Sequence, residues 1–152
     1  PGHTADHLCL YDAEHGLMLT GDHVLPTITP HISGFADGEA PLEKFMDSLQ
    51  RMHDFSDVTL AMPAHGDPFT DLTGRADHIC GHHLERLDDF REAAAELGTA
   101  SVNAYMKRAF KERSWGGMAE SETYAHLDHL RDHGELDTTW VDGLLHFTTP
   151  GL

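Results

Sequence analysis

Residues 17–23 read Leu-Met-Leu-Thr-Gly-Asp-His, an apolar run that ends in a turn bearing a carboxylate and an imidazole. The apolar run predicts a β-strand, and Gly21 predicts a change of chain direction directly after it. A second apolar run, Leu8–Tyr11, lies upstream, across the turn-like residues 12–16. The two runs predict a pair of strands joined by a short loop, with the carboxylate and imidazole at one end of the pair.

Two other turns share this design of a histidine beside glycine or proline, next to an apolar run. Residues 1–4 read Pro-Gly-His-Thr, and residues 63–66, after a strand predicted over 57–62, read Pro-Ala-His-Gly. Imidazole nitrogens and a carboxylate suit zinc, and one carboxylate can bridge two cations about 3.5–4 Å apart. Each histidine alone would be interpreted as a polar loop residue. The order and contexts of the three turns together predict a metal site.

The segments around these turns predict a loop and two amphipathic helices. Residues 24–40 contain two prolines and two glycines, which favour a loop. A helix is predicted to begin at Pro41, because proline suits the first helical turn and apolar residues follow at helical spacing. A longer helix is predicted over residues 72–97, with Gly98 as its stop.

The organisation changes after the long helix, which divides the chain into predicted domains 1–98 and 99–152. In the second domain, Thr99 and Ser121 can cap two shorter helices. An Asp-Gly pair at 142–143 between two apolar runs predicts a β-hairpin. Two helices followed by a hairpin are typical of a winged-helix domain.

The composition narrows the function classes. Among 152 residues, 26 acidic and 10 basic side chains give a net charge of −16, and histidine occurs 14 times. An acidic surface repels phosphate backbones, so nucleic acid is not the expected partner, whereas abundant histidine favours metal binding.

The sequence contains no run of about 18 apolar residues, the length a membrane span needs. Two cysteines outside any paired motif favour a reducing compartment. The first residues show no basic stretch followed by an apolar run, so we expect no signal peptide and a cytoplasmic location.

The sequence motifs of the chain, taken together, resemble those of the metallo-β-lactamase superfamily, in its glyoxalase II-like branch. The resemblance rests on four motifs spread over the chain: Pro1-Gly-His-Thr-x-x-His7, Thr20-Gly-Asp-His-Val-Leu25, Pro63-Ala-His-Gly66 and Gly81-His-His-x-x-Arg86. It implies an α/β (α+β) fold, in which the C-terminal half of an αββα sandwich is followed by a small winged-helix domain.

The resemblance also implies a ligand set and a reaction. His3 would bind the first metal, His65 would bind the second, and Asp22 would bridge both as the catalytic carboxylate. The cofactors would be two divalent metal ions, expected to be zinc. In the intact protein a metal-bound hydroxide would attack an ester- or thioester-type bond of a small-molecule substrate.

Three further histidines are candidates for supporting roles. His7 matches a position that is often histidine in this branch, and a role in holding a ligand is favoured over metal binding. His23 and His31 follow on the loop and could line a substrate cleft. The simpler interpretation is that His23 and His31 are both solvent-exposed loop histidines.

One departure from the family is large, because the signature His-x-His-x-Asp-His is absent. Three ligands cannot complete two coordination spheres. We therefore expect weak or absent metal binding, and little catalysis, from these 152 residues alone. The missing ligands are expected from an N-terminal half lost by truncation or proteolysis, or from a partner chain, and self-association is expected without them.

The sequence is also compatible with two other classes of function. An RNA- or DNA-processing nuclease, or a nucleic-acid-binding protein, could use the winged helix, although its candidate recognition helix, residues 121–133, is acidic with one arginine. A non-catalytic interaction protein, or a separate subunit that shares its site with a partner, is the other alternative.

Overall fold

The computed structural model describes residue 1 and residues 3–34 and 40–151. Gly2 of the first predicted turn, residues 35–39 of the predicted loop and Leu152 lie outside the described residues. The described part is a mixed α/β structure with four α-helices, two short 3-10 helices and two three-stranded sheets. None of these helices combines the length and apolar character that crossing a bilayer requires.

The chain divides into two compact units. The first comprises the described residues of Pro1–Ile32 and Ala36–His83, and the second those of Ser33–Phe35 and Leu84–Leu152. The division lies within one long helix, and the domain boundary predicted after residue 98 stays a prediction.

The first unit is built on a three-stranded sheet. Strand β1, Leu10–Asp12, pairs antiparallel with β2, Leu17–Gly21. Strand β3, Leu60–Pro63, lies on the other side of β2 and runs parallel to it. The two predicted strands and their short connection are thus present, and β2 is the central strand of the order β1-β2-β3.

The two faces of this sheet differ in exposure. Met18 and Ala61, which are register partners, are buried at 1% and 0% exposure. On the opposite face Leu10, Leu19 and Met62 are aligned across the three strands. They are 63%, 48% and 37% exposed. Because side chains alternate between faces along a strand, the first face packs in the core of the unit and the second presents a row of apolar side chains.

Two helices accompany the sheet. Helix α1, Pro41–Gln50, begins at the predicted proline and continues into a short 3-10 helix, Arg51–Phe55. Helix α2, Leu72–Leu97, has the predicted bounds, and Asp71 caps it by accepting a hydrogen bond from the Gly74 N–H at 3.0 Å. Its apolar positions are buried at helical spacing, which is why the periodicity predicted it: Leu72, Ala76, Ile79, Leu87, Phe90 and Ala94.

The second unit combines a short sheet with two helices. After the part of α2 that begins at Leu84, its elements are, in chain order, β4 (Ala100–Ser101), α3 (Val102–Ala109), a short 3-10 helix (Glu112–Ser114), α4 (Gly117–Asp132), β5 (Asp137–Val141) and β6 (Leu144–Thr148). The strand order is β4-β6-β5, and all pairs are antiparallel. The predicted hairpin is confirmed, with Asp142 and Gly143 at φ values of 50° and 79°. An Asp-Gly pair adopts the positive φ angles that a two-residue hairpin turn requires.

The predicted cap of α3 is wrong. Ser101, rather than Thr99, is the N-cap, and its hydroxyl accepts a hydrogen bond from the Ala104 N–H at 3.4 Å. Thr99 instead bonds through its hydroxyl to the Thr148 hydroxyl at 2.9 Å. Residues 100–101 pair with β6, so the extended chain continues past Thr99 and the helix begins later.

The predicted cap of α4 is wrong too. This helix begins at Gly117, so Ser121 is a helical residue, and only 5% of its surface is exposed. Its hydroxyl accepts a hydrogen bond from the Gly34 N–H at 3.1 Å and lies 3.2 Å from the Ser33 hydroxyl. A serine that resembles a cap in the sequence therefore bonds to a distant loop.

Candidate metal centre

The structure brings three of the sequence-predicted side chains together at one edge of the first sheet. His3 Nε2 lies 3.9 Å from Asp22 Oδ2, and His65 Nε2 lies 3.3 Å from Asp22 Oδ1. Asp22 and His65 follow the ends of β2 and β3, which meet at the same edge because the strands are parallel. Each oxygen of one carboxylate thus faces a different imidazole.

A backbone hydrogen bond fixes the spacing of the two turns. The Ala64 N–H donates to the Gly21 carbonyl at 2.9 Å. These residues directly precede His65 and Asp22 in the sequence. The bond therefore ties together the two turns from which the imidazole and the carboxylate project.

The environment of Asp22 favours a cation. Its side chain is 29% exposed, yet Oδ1 is buried and accepts no hydrogen bond from any described residue. A buried carboxylate oxygen without a donor costs more free energy than an exposed one. A metal ion bound to that oxygen would remove the cost.

The tautomer of His3 points to the same conclusion. His3 Nδ1 lies 2.9 Å from the His31 carbonyl oxygen, which can only accept, so Nδ1 carries the proton and donates. In the neutral imidazole Nε2 then presents a lone pair, and it does so 3.9 Å from a carboxylate oxygen. Two electron-pair donors that face each other are a favourable arrangement for a shared cation.

The distances also fit metal ligation. Nitrogen and oxygen ligands lie about 2.0–2.2 Å from zinc, so two ligands of one ion are no more than about 4.3 Å apart. Both separations, 3.9 Å and 3.3 Å, are below that limit. The set of two imidazoles and one carboxylate suits a borderline divalent ion. These residues therefore fit part of a two-metal site, and ligation itself stays a prediction.

His7 holds the backbone of Asp22. Its Nε2 accepts a hydrogen bond from the Asp22 N–H at 3.0 Å. The ring packs so closely on Gly21 that a Cβ there would lie 2.6 Å from Nε2, and Gly21 has a φ of 53°. Burial lowers the pKa of His7, which favours the neutral form that this acceptor role needs. Glycine at this position permits both the turn and the contact.

The expectation that His23 is an exposed loop histidine is wrong. The residue is 2% exposed, its Nε2 lies 3.1 Å from the Ser48 hydroxyl, and its ring packs edge-on against Phe45 at 5.2 Å. Desolvation by burial lowers its pKa to about 4. His23 is buried because α1 covers it, and the sequence near Asp22 carries no signal of that packing. It borders a cavity of about 250 Å³ that also contacts His7 and Cys9.

Two supporting contacts were not predicted from the sequence. His31 acts through its backbone carbonyl on His3, although its ring was the predicted feature. Ser48 on α1 bonds to His23. A polar residue in the last turn of a helix with an otherwise apolar face is the one sequence signal that could have indicated Ser48.

Known proteins provide an independent comparison. No family model matches the chain. The chain is 26% identical over 162 residues to the probable metallo-hydrolase YqjP of Bacillus subtilis, a match that covers 98% of this chain and 48% of that protein. It is 34% identical over 104 residues to the lactamase-like protein adaB of Aspergillus niger, covering 68% of this chain and 30% of that protein.

Solved structures that resemble the chain have names of the same kind as these relatives. A metallo-β-lactamase family protein from Thermus thermophilus superposes with a TM-score of 0.85 at 28% identity, covering 98% of this chain and 47% of that one. A β-lactamase domain protein from Burkholderia ambifaria gives a TM-score of 0.85 at 32% identity, with 97% and 45% covered. The chain belongs to the metallo-β-lactamase superfamily. It spans less than half the length of each of these superfamily members.

Proposed function

We propose that the chain contributes three ligands to the two-metal site of a hydrolase. The observation that carries this proposal is the pair of contacts from the two oxygens of Asp22 to His3 and His65. The names of the relatives, metallo-hydrolase and lactamase-like protein, support a hydrolase. Two bound divalent ions, for which zinc fits the nitrogen-rich ligand set, would supply Lewis acidity and activate water at neutral pH.

Each residue around the proposed metal site would have a separate role. Asp22 would set the spacing of the two ions with its two oxygens, and His7 holds its backbone in place. His3 and His65, which face different oxygens of this carboxylate, would be the other two ligands. The His31 carbonyl keeps the Nε2 lone pair of His3 directed at the site. Such supporting contacts are worth about 10–100-fold in metal affinity.

The remaining ligands would come from further polypeptide. The exposed row of Leu10, Leu19 and Met62 is an apolar sheet face of the kind that another part of a protein covers. We propose that the rest of a longer protein, or a second copy, covers this face and supplies the missing ligands. Weak metal binding by the 152 residues alone stays a prediction of this proposal.

The substrate is proposed to be a small ester or thioester, and the chain to belong to the glyoxalase II-like branch. The net charge of −16 opposes binding of a long polyanion. The elements β4, α3, α4, β5 and β6 have the order of a winged helix, and we propose that fold for residues 99–152 as a packing module. The cytoplasmic location stays a prediction, and the relatives' names do not support the nuclease alternative.

The proposed activity can be tested with the full-length protein. We expect it to hydrolyse an aryl ester or a thioester, to lose this activity after treatment with a chelator, and to recover it with Zn²⁺. His65→Ala should lower the recovered rate, whereas His15→Ala, at an exposed turn, should not. Hydrolysis that survives complete metal removal would contradict the proposal. RNA cleavage with a steep salt dependence, in place of ester hydrolysis, would favour the nuclease.

A further inference from the structure

Arg75 makes two hydrogen bonds that connect α2 to the loop after Asp22. Its Nε donates to the Leu25 carbonyl at 2.6 Å, and its Nη2 donates to the Ile28 carbonyl at 2.8 Å. One side chain therefore fixes the loop at two points, three residues apart. The guanidinium group suits this task because its donors form a rigid, planar fork.

The same loop contacts the turn that carries His65. Pro26 follows Leu25 directly, and its Cγ would lie 2.7 Å from a Cβ at Gly66. Gly66 has a φ of 86°. The proline ring thus packs on the backbone immediately after His65, and Arg75 holds the carbonyl groups on both sides of that ring.

The loop also leads to the other two predicted ligands. Leu25 is three residues after Asp22, and Ile28 is three residues before His31. The His31 carbonyl accepts the hydrogen bond that orients His3. The two contacts of Arg75 therefore lie between the bridging carboxylate and the carbonyl that orients the first imidazole.

The position of Arg75 is unfavourable without these contacts. It lies in the first turn of α2, where the helix macrodipole disfavours a positive charge. Desolvation by burial also lowers the pKa of its guanidinium. The hydrogen bonds to the loop compensate for both effects, which indicates that the arginine serves the loop rather than the helix.

We propose that Arg75 is a positioning residue of the metal centre. By fixing the Leu25–Ile28 loop it sets the placement of Asp22, of the His65 turn through Pro26, and of the carbonyl that orients His3. This inference rests on the proposed function. Arg75 itself is not proposed to contact the metal or the substrate.

The test compares two substitutions of the same type on one helix in the full-length protein. Arg75→Lys keeps the charge and removes the fork. Arg91→Lys removes a fork that bonds to Glu135 at 2.6 Å and 2.7 Å and contacts none of the predicted ligands. Metal-free protein is titrated with Co²⁺ alone, its visible absorption spectrum is recorded, and thermal melting is measured without metal.

We expect Arg75→Lys to weaken Co²⁺ binding by about 10-fold or more and to change the visible spectrum, as loss of a ligand-orienting contact does. Arg91→Lys should leave affinity and spectrum unchanged, and both variants should melt at similar temperatures. Equal affinity and spectrum in Arg75→Lys and the unaltered protein would overturn the inference. So would a loss that Arg91→Lys shares.

Two further variants, Arg75→Gln and Asp22→Asn, distinguish the remaining outcomes. If Arg75→Lys does not fold, Arg75→Gln replaces it, and failure of both beside a folded Arg91→Lys would overturn the inference in favour of a purely structural role. Asp22→Asn separates this inference from the proposed function. If Asp22→Asn loses Co²⁺ binding while Arg75→Lys retains it, only the role of Arg75 fails. If Asp22→Asn binds Co²⁺ normally, the proposed function fails and the inference with it.

Discussion

Asp22→Asn in the full-length protein is expected to abolish metal binding and hydrolysis together. The amide replaces one of the two oxygens with an NH₂ donor, which would direct its protons at a cation, and it removes the negative charge. Because metal ions contribute several kcal/mol of transition-state stabilisation, we expect kcat/KM to fall by about 1,000-fold or more. Metal content by atomic emission and initial rates of ester hydrolysis check this expectation.

Asp12→Asn is the matched control for this change. Asp12 is also a carboxylate at the end of a strand, but it lies 2.9 Å from His15 in an exposed turn. Its substitution should leave metal content and rate within about twofold of the unaltered protein, as is usual for surface positions. An Asp22→Asn protein that retains full metal content and rate would show that this carboxylate is not a ligand.

Phe45→Ala is expected to cause a large loss of stability. The Phe45 side chain is fully buried, and its ring packs edge-on against His23 at 5.2 Å and His83 at 5.5 Å. Truncation of a buried phenylalanine to alanine costs about 3–5 kcal/mol through lost contacts and the resulting cavity. Urea-induced unfolding of the full-length protein, followed by circular dichroism, should show this decrease in the free energy of unfolding.

Lys44→Ala provides the control on the same helix. Lys44 is exposed and immediately precedes Phe45. Its substitution should change the free energy of unfolding by no more than about 0.5 kcal/mol. If the two variants were equally stable, Phe45 would not belong to the core that supports His23 beside Asp22.

Long periodic elements and specific turns could be predicted from the sequence. Helix α2 has the predicted bounds because its buried positions repeat at helical spacing over 26 residues. The hairpin at Asp142 and Gly143 follows from the two positive φ angles that this pair tolerates. Asp22 and His65 each follow a predicted strand, but they meet because these strands pair in parallel, which the sequence did not indicate. For the helix and the hairpin, the local sequence pattern and the tertiary structure favour the same conformation.

The features that could not be predicted from the sequence depend on contacts between residues that are distant in sequence. Thr99 and Ser121 have suitable chemistry for helix caps, but they bond to Thr148 and to Gly34, which no local pattern reveals. His23 is buried because α1 packs on it. The role of His31 is invisible in the sequence because a backbone carbonyl is present at every position. Apart from His7, whose supporting role was a prediction from the sequence, the contacts that support the site are visible only in the structure.

The most direct test of the metal centre is anomalous X-ray diffraction at the zinc absorption edge, from crystals of the full-length protein grown with Zn²⁺. We expect anomalous peaks with His3 Nε2, His65 Nε2 and the Asp22 carboxylate about 2.0–2.2 Å from an ion. Well-ordered density for all three side chains, with the anomalous signal elsewhere or absent, would contradict it.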